Sequence, residues 1–156
     1  GLSSTGDFVA LACQDEMLRI MDTEYFNELK TIKAHTDGVS SVLFHPLNSD
    51  VVITGGKDAL IKVWKWNEEE LVETIVAHNF AVYDLIALNE GEAFASGSRD
   101  KSIKIWSSID FSFQQKIELK SGGHRHSVNG LSKIKKGSFV SCSDDGKLIV
   151  WESIRE

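Results

Sequence analysis

Short apolar runs alternate with polar turns along the whole chain. Segments such as VSSVLF (39–44), DVVIT (50–54) and LIKVW (60–64) are rich in β-branched residues and are bounded by Gly, Pro, Asn and Asp. No segment of helical length keeps an apolar stripe at positions i, i+3, i+4 and i+7 without a turn residue inside it. The pattern therefore predicts an essentially all-β chain.

A repeat underlies these strands. Trp64, Trp106 and Trp151 are 42 and 45 residues apart, and Met21 lies 43 residues before the first of them. Each tryptophan closes a unit in which a His, a hydroxyl residue and an Asp precede it at similar offsets. The three sets are His35, Thr54, Asp58 and Trp64; His78, Ser96, Asp100 and Trp106; and His124, Ser141, Asp145 and Trp151. A period of this length is typical of propeller blades or helical arrays, and the strand pattern favours blades.

The units differ in how complete they are. A fourth strand follows the tryptophan in two of them, LVETIV (71–76) and QQKIEL (114–119). The complete units are 35–76 and 78–119, and the partial units are 1–33 and 124–156. In the first unit the innermost strand is missing or reduced to residues 1–6, and in the last unit little sequence follows the tryptophan. Because no linker divides the chain, residues 1–156 are interpreted as one segment.

These offsets resemble those of the WD-repeat family of β-propellers. In that family a Gly-His-like pair precedes the first strand, an Asp lies in the turn between strands two and three, and a Trp closes strand three. The corresponding pairs here are Ala34-His35, Ala77-His78 and Gly123-His124, and each Asp precedes its Trp by six residues. The resemblance covers nearly the whole chain. It implies a partial β-propeller of four-stranded antiparallel blades, with incomplete terminal blades.

Two departures from the family pattern stand out. The Asp that usually follows the Trp is replaced by Lys65, Ser107 and Glu152. The first unit keeps Asp15 but has Leu11 and Met21 in place of the hydroxyl residue and the Trp. No equivalent hydrogen-bonded network is therefore expected in the first unit.

The His, hydroxyl and Asp sets admit two interpretations. A set such as Ser96, His78 and Asp100 has the residue types of a nucleophilic triad, which would suggest a hydrolase. In the WD-repeat family the Asp instead accepts from the His ring, the His bonds the hydroxyl and the hydroxyl meets the indole N–H of the Trp. Because an active site is needed only once, threefold repetition favours the structural role and indicates no catalytic residues.

Composition and charge exclude several function classes. The net charge of −6 disfavours general binding to nucleic acids or anionic membranes, which require a positive field.

The thiols Cys13 and Cys142 have no metal-like spacing and are interpreted as small buried core residues, which favours a cytoplasmic protein, or a nuclear one in a eukaryote. The glycines, including Gly55, Gly56 and Gly97, are assigned to strand turns, so no phosphate loop and no cofactor are predicted. His126 is a lone imidazole and indicates no metal site.

Partner binding is expected at the loop rim that leads into the first strands, because that face is the usual peptide-docking surface of the family. The candidate residues are Lys57, Asn79, Phe80, Arg99, Arg125 and His126. We predict that Arg99 and Arg125 bind an acidic or phosphorylated peptide. The alternative is that these are solvated turn residues whose field is diluted by Asp37 and Asp144. Phe80 is either an exposed anchor or a residue buried in the central channel.

The sequence as a whole predicts a non-catalytic scaffold for protein–protein interaction. A hydrolase and a regulatory propeller segment of a larger multidomain protein are the alternatives. Three and a half blades do not close a ring, so we expect either a homodimer of about eight blades or a piece of a longer propeller.

Overall fold

The computed structural model describes residues 1–135 and 137–152. Their strands form four antiparallel sheets, and none of these residues lies in an α-helix. The strands are β1 (Phe8–Ala12), β2 (Met17–Asp22), β3 (Glu28–Lys33), β4 (Val39–Phe44), β5 (Val51–Gly56), β6 (Leu60–Lys65), β7 (Glu70–Val76), β8 (Val82–Leu88), β9 (Ala93–Ser98), β10 (Ile103–Ser107), β11 (Phe113–Ile117), β12 (Val128–Lys135), β13 (Ser138–Ser143) and β14 (Leu148–Glu152). Two single-turn 3-10 helices, Asn89–Gly91 and Leu119–Ser121, lie in the connections.

Each sheet corresponds to one predicted unit, which confirms the all-β partial propeller. Blade 1 contains β1–β3, blade 2 contains β4–β7, blade 3 contains β8–β11 and blade 4 contains β12–β14. In blade 1 the inner strand is reduced to a single bridge between Leu2 and Val9. Of the predicted last unit, residue 136 and residues 153–156 lie outside the described residues.

Alternation along each strand sends side chains into two different cores. In β5, Val52 packs with residues of blade 1, whereas the next residue, Ile53, packs with residues of blade 3. In β9, Phe94 and Ala95 divide in the same way between the core shared with blade 2 and the core shared with blade 4. Because successive strand residues point to opposite faces, every internal blade is hydrophobic on both faces. The three interblade cores therefore hold the four sheets together.

The inner strands are also joined by polar contacts. The Ser40 hydroxyl in β4 donates to the Val82 carbonyl in β8 at 2.5 Å. The Asp84 carboxylate in β8 accepts from the backbone N–H of Leu131 in β12 at 2.7 Å. Burial raises the pKa of Asp84, and the Leu131 hydrogen bond opposes that shift. Adjacent blades are thus linked near the centre by hydrogen bonds as well as by apolar packing.

The assignment of all glycines to strand turns was wrong. Gly55 and Gly56 lie in β5 and Gly97 lies in β9, and all three are buried. A Cβ on Gly55 would stand 2.3 Å from the Ser41 hydroxyl and 2.7 Å from a methyl of Val82. Glycine is needed here because Ser41 of the same blade and Val82 of the next blade together occupy the side-chain space.

The outer parts of the sheets face solvent. Every residue of β7 except Ile75 is exposed, as are the first four residues of β11. Cys13 and Cys142 are both partly exposed free thiols, so their prediction as buried core residues was wrong. Among the described residues, no helix has the length and apolar character to cross a lipid bilayer.

Candidate functional site

Four side chains form a buried hydrogen-bonded network in blade 3. The Asp100 carboxylate lies 2.8 Å from Nδ1 of His78, and the Nε2 of His78 lies 2.7 Å from the Ser96 hydroxyl. The Trp106 indole N–H donates to the same hydroxyl at 2.9 Å. The four residues come from the loop before β8, from β9, from the β9–β10 turn and from β10. This network therefore ties four segments of one blade together.

The same geometry recurs in two further blades. In blade 2 the Asp–His, His–hydroxyl and indole–hydroxyl distances are 2.9, 2.7 and 3.0 Å. In blade 4 they are 3.1, 2.8 and 2.8 Å. The residues are His35, Thr54, Asp58 and Trp64 in blade 2, and His124, Ser141, Asp145 and Trp151 in blade 4. The three predicted sets are thus each brought together within a single sheet.

Burial favours the neutral form of the histidines in blades 2 and 3. Burial lowers the pKa of His78 and outweighs the opposing hydrogen bond from Asp100, and the same balance lowers the pKa of His35. Burial opposes ionisation of Asp100, but hydrogen bonds from His78 and Ser102 hold its pKa well below the usual range. A neutral imidazole with its proton on Nδ1 donates to the carboxylate and accepts from the hydroxyl through Nε2. Every donor and acceptor in the network then has a partner.

None of the three hydroxyls is accessible to a substrate. Thr54, Ser96 and Ser141 are each 0% exposed, and the histidine rings beside them are buried. Each hydroxyl also accepts an indole N–H from the other side. A nucleophile must reach the atom that it attacks, so this conformation offers no route for acyl transfer.

Blade 1 has a different polar arrangement. Asp15 does not enter a network but forms a two-pronged ion pair with Arg19, whose shortest N–O distance is 2.6 Å. Leu11 and Met21, which replace the hydroxyl residue and the tryptophan, provide no polar partner. This agrees with the departure from the repeat pattern seen in the sequence.

Sequence analysis missed two lysines that add a hydrogen bond beside the networks of blades 2 and 3. The Lys62 ammonium donates to the Ala34 carbonyl at 2.6 Å, and Lys104 donates to the Ala77 carbonyl in the same way. Both lysines stand two residues before the tryptophan of their blade, and this shared spacing was the available signal. They tie the third strand of each blade to the carbonyl that precedes its histidine.

A groove between blades 2 and 3 collects four of the six predicted rim residues. Lys57, Asn79, Phe80 and Arg99 line it together with Tyr83, which sequence analysis missed. Phe80 is 56% exposed, so it is not buried in the central channel. The Arg99 guanidinium lies 5.9 Å from the centre of the Phe80 ring, within the range of a cation–π contact. The groove thus pairs an exposed aromatic ring with two cations.

Arg125 lies in a different groove, between blades 3 and 4. Its neighbours there include Lys101, Leu119 and Lys120, which sequence analysis did not single out. The prediction that Arg99 and Arg125 act together therefore needs a ligand long enough to reach both grooves. His126 is exposed and lines neither groove. Over residues 1–135 and 137–152, no group of three or more His, Cys, Asp or Glu side chains is placed to hold a metal ion.

Comparison with known proteins gives a consistent family. The family model described as WD domain, G-beta repeat matches residues 26–65, 69–107 and 114–152. Each match begins near or within the outer strand of one blade and ends in the third strand of the next. The sequence repeat is therefore offset by one strand from the structural blade.

Two named proteins are similar to this chain in sequence. The chain is 35% identical over 132 residues to the nuclear distribution protein PAC1 of Arthroderma otae. It is 33% identical over 125 residues to the nuclear distribution protein nudF 1 of Talaromyces marneffei. Each comparison covers 78% of this chain but only 28% and 26% of those proteins, so the chain spans little more than a quarter of their length.

A solved structure supports the architecture. The structure of U3-55K superposes with a TM-score of 0.82 at 25% identity and covers 97% of this chain and 44% of that one. Repeats, buried networks, sheet order and sequence matches all agree. The chain therefore belongs to the WD-repeat family and forms a partial β-propeller.

Proposed function

We propose that the chain is a non-catalytic protein-interaction scaffold that binds its partner through the rim groove between blades 2 and 3. The observation that carries the proposal is the exposed Phe80 ring beside the cations of Lys57 and Arg99. Aromatic and Arg residues are the side chains that most often dominate binding energy at protein interfaces. WD-repeat proteins such as those matched here typically act as interaction scaffolds, which supports the same conclusion.

The charges of the groove favour an acidic or phosphorylated partner. Within the described part of the chain, neither Lys57 nor Arg99 forms an ion pair with a carboxylate. Asp58, the carboxylate that lines this groove, already accepts from the His35 ring and from the backbone N–H groups of Thr36 and Leu60. The Arg99 guanidinium is therefore available for a forked contact with a carboxylate or phosphate.

A charge-reversal variant tests the groove. We expect Arg99→Glu to weaken binding to acidic and phosphoserine peptides on an array by at least about tenfold, because it replaces an attractive contact with a repulsive one. The matched control is Lys33→Glu, the same charge change on the exposed outer strand of blade 1, and it should bind as the parent chain does. Unchanged binding by Arg99→Glu, or equal binding to neutral peptides, would contradict the proposal.

The hydrolase alternative has its own test. A fluorophosphonate reagent should leave Ser96 unlabelled in the folded chain, since the hydroxyl is fully buried. Labelling of Ser96 would favour the enzyme.

The proposed scaffold acts in the cytoplasm, or in the nucleus of a eukaryote. If the chain is part of a longer propeller, the partners of that propeller would also contact further blades.

A further inference from the structure

The lower face of blades 2 and 3 lies at the strand ends opposite the rim grooves. β4 and β8 begin beside the rim loops and end at this face, which is formed by the connections at 45–50, 66–69, 89–92 and 108–112. Both blades are four-stranded sheets, and each packs against a neighbouring sheet on both sides. Side chains that stay exposed where these connections meet are therefore not exposed for lack of an adjacent blade.

The β4–β5 connection of blade 2 is fastened to the lower face of blade 3. With its proton on Nε2, the His45 ring donates to the Ser108 carbonyl at 2.7 Å and accepts the Leu47 backbone N–H at Nδ1 at 3.2 Å. The same ring meets the Phe111 ring edge-on, with centroids 6.2 Å apart. A Cβ on Gly91 would stand 3.0 Å from the Leu47 side chain, so Leu47 lies over the 3-10 turn of blade 3. These contacts hold the connection in one position.

Two large apolar side chains remain exposed at this junction. Leu47 is 61% exposed and Ile109, which follows Ser108 in the β10–β11 turn, is 77% exposed. The Ile109 backbone N–H donates to the Ser107 hydroxyl at 3.2 Å, so this turn is held in place as well. Ser108 is only 1% exposed, and within the described part of the chain its hydroxyl has no hydrogen-bond partner, which is rare for a buried hydroxyl. Because both backbones are already fixed, a partner that covers Leu47 and Ile109 pays little for ordering these loops.

The charge around these two side chains is negative. The four connections contain no Lys or Arg, and their carboxylates are Asp50, Glu68, Glu69, Glu90, Glu92 and Asp110. The two carboxylates of the β6–β7 turn are paired with lysines, whereas no described cation pairs with Glu92 or Asp110. Hydrogen bonds from Ser107 and Ser112 lower the pKa of Asp110 to about 2, so this carboxylate is ionised at neutral pH. The exposed apolar surface is therefore bordered by negative charge that the described residues do not neutralise.

We propose that Leu47 and Ile109, with the adjacent carboxylates of Glu92 and Asp110, form a docking surface for a basic polypeptide segment that contains aliphatic residues. The aliphatic residues cover Leu47 and Ile109, and flanking Lys or Arg side chains pair with the carboxylates. Charge complementarity selects this occupant, because the acidic peptides proposed for the rim groove are repelled at the lower face. The two surfaces lie at opposite ends of the same strands, so the chain can hold partners of opposite charge at the same time.

A short basic peptide provides the probe. A fluorescein-labelled peptide with the sequence Gly-Arg-Leu-Leu-Lys-Arg-Gly should bind the parent chain saturably in an anisotropy titration. Ile109→Ser should weaken this binding at least about tenfold, because the buried apolar contact is lost. Glu92→Lys should weaken it at least about fivefold, because the new cation repels the basic peptide. Both side chains are exposed, so neither substitution should shift the urea midpoint of unfolding.

Matched controls separate this surface from general attraction to an acidic protein. Val76→Ser and Glu73→Lys make similar changes at exposed positions of β7, and both chains should bind the peptide as the parent does. A peptide with Glu in place of its three basic residues should not bind. Absence of binding to the parent, equal binding of the acidic peptide, or equal effects of the lower-face and β7 substitutions would overturn the proposal. A lower mass of the Ile109→Ser chain in light scattering would show that a second copy covers the surface, and would overturn it as well.

Discussion

At the scale of single residues, the hydroxyl at the centre of each network has the largest consequences. Ser96 receives the indole N–H of Trp106 and bonds the imidazole of His78, while being fully buried. Because Trp106 and His78 are both buried, neither can form a hydrogen bond with water instead. The cost of losing the hydroxyl is therefore the cost of leaving two buried polar groups unpaired, which exceeds the value of the hydrogen bonds themselves.

We predict that Ser96→Ala lowers the free energy of unfolding by about 2–6 kcal/mol, from two unpaired groups at about 1–3 kcal/mol each. Urea denaturation followed by tryptophan fluorescence measures the change. The control is Ser132→Ala, at an exposed serine of β12, which should change stability by less than about 0.5 kcal/mol. Equal effects of the two substitutions would show that the network contributes nothing to stability.

At the scale of strands, contact between neighbouring inner strands limits side-chain size. Gly55 faces Ser41 and Val82 at distances that no real Cβ tolerates. Gly130, in the bulge of β12, has only the Cys142 sulfur at 3.1 Å and the Asp84 carboxylate at 3.9 Å from a Cβ. The two glycines therefore differ in whether the neighbouring blade fills their side-chain space.

We expect Gly55→Ala to destabilise the chain by about 1–3 kcal/mol, because an added methyl in a close-packed interface forces backbone or rotamer shifts. Gly130→Ala is the matched substitution and should cost less than about 1 kcal/mol. Thermal unfolding of both variants gives the comparison. If Gly55→Ala is as stable as the parent chain, blades 2 and 3 are not packed as closely as described.

Most of the strand-level architecture could be predicted from the sequence. Alternating apolar residues and the His, Asp and Trp spacing locate the sheets within a residue or two, because both are local signals. The outer strand of blade 3 shows this precision, since it is predicted at 114–119 and observed at Phe113–Ile117. The register shift beside Trp106 was not predicted, because such a shift has no sequence signature.

Contacts between residues of different blades could not be predicted from these local signals. The glycines of β5 and β9 were placed in turns, because the residues of the next blade that lie against two of them, Val82 at Gly55 and Val128 at Gly97, are far away in the sequence. Arg99 and Arg125 were grouped because the turn before each Asp and the loop into each first strand were expected to share one rim, yet the two residues line different grooves. Repetition predicts what each blade contains, whereas contacts between blades depend on the residues that differ.

At the scale of the whole molecule, the two terminal blades each have an uncovered face. Leu148 and Val150 alternate with the partly buried Ile149 and Trp151 of β14 and are 75% and 58% exposed. On blade 1, Leu11 is exposed, and Val9 is partly so. The equivalent faces of the internal blades are covered by a neighbouring sheet, so these faces favour association with another blade.

We predict that the chain self-associates in a concentration-dependent way, as measured by light scattering. The double substitution Leu148→Glu and Val150→Glu should reduce the apparent mass towards that of a monomer. Because both side chains are exposed, it should change the free energy of unfolding by less than about 1 kcal/mol.

Lys147→Glu, in the adjacent turn, tests whether added charge alone is sufficient and should leave the association unchanged. A parent chain that stays monomeric at high concentration would contradict both the homodimer and any other assembly through these faces.

The one-strand offset between sequence repeat and blade has a mechanical consequence. The repeat at residues 26–65 supplies β3 to blade 1 and β4–β6 to blade 2. A pulling force that extracts one repeat therefore strips the outer strand from one sheet while it dismantles the next. Because neighbouring sheets share one covalent repeat, we expect them to unfold together under force and not independently.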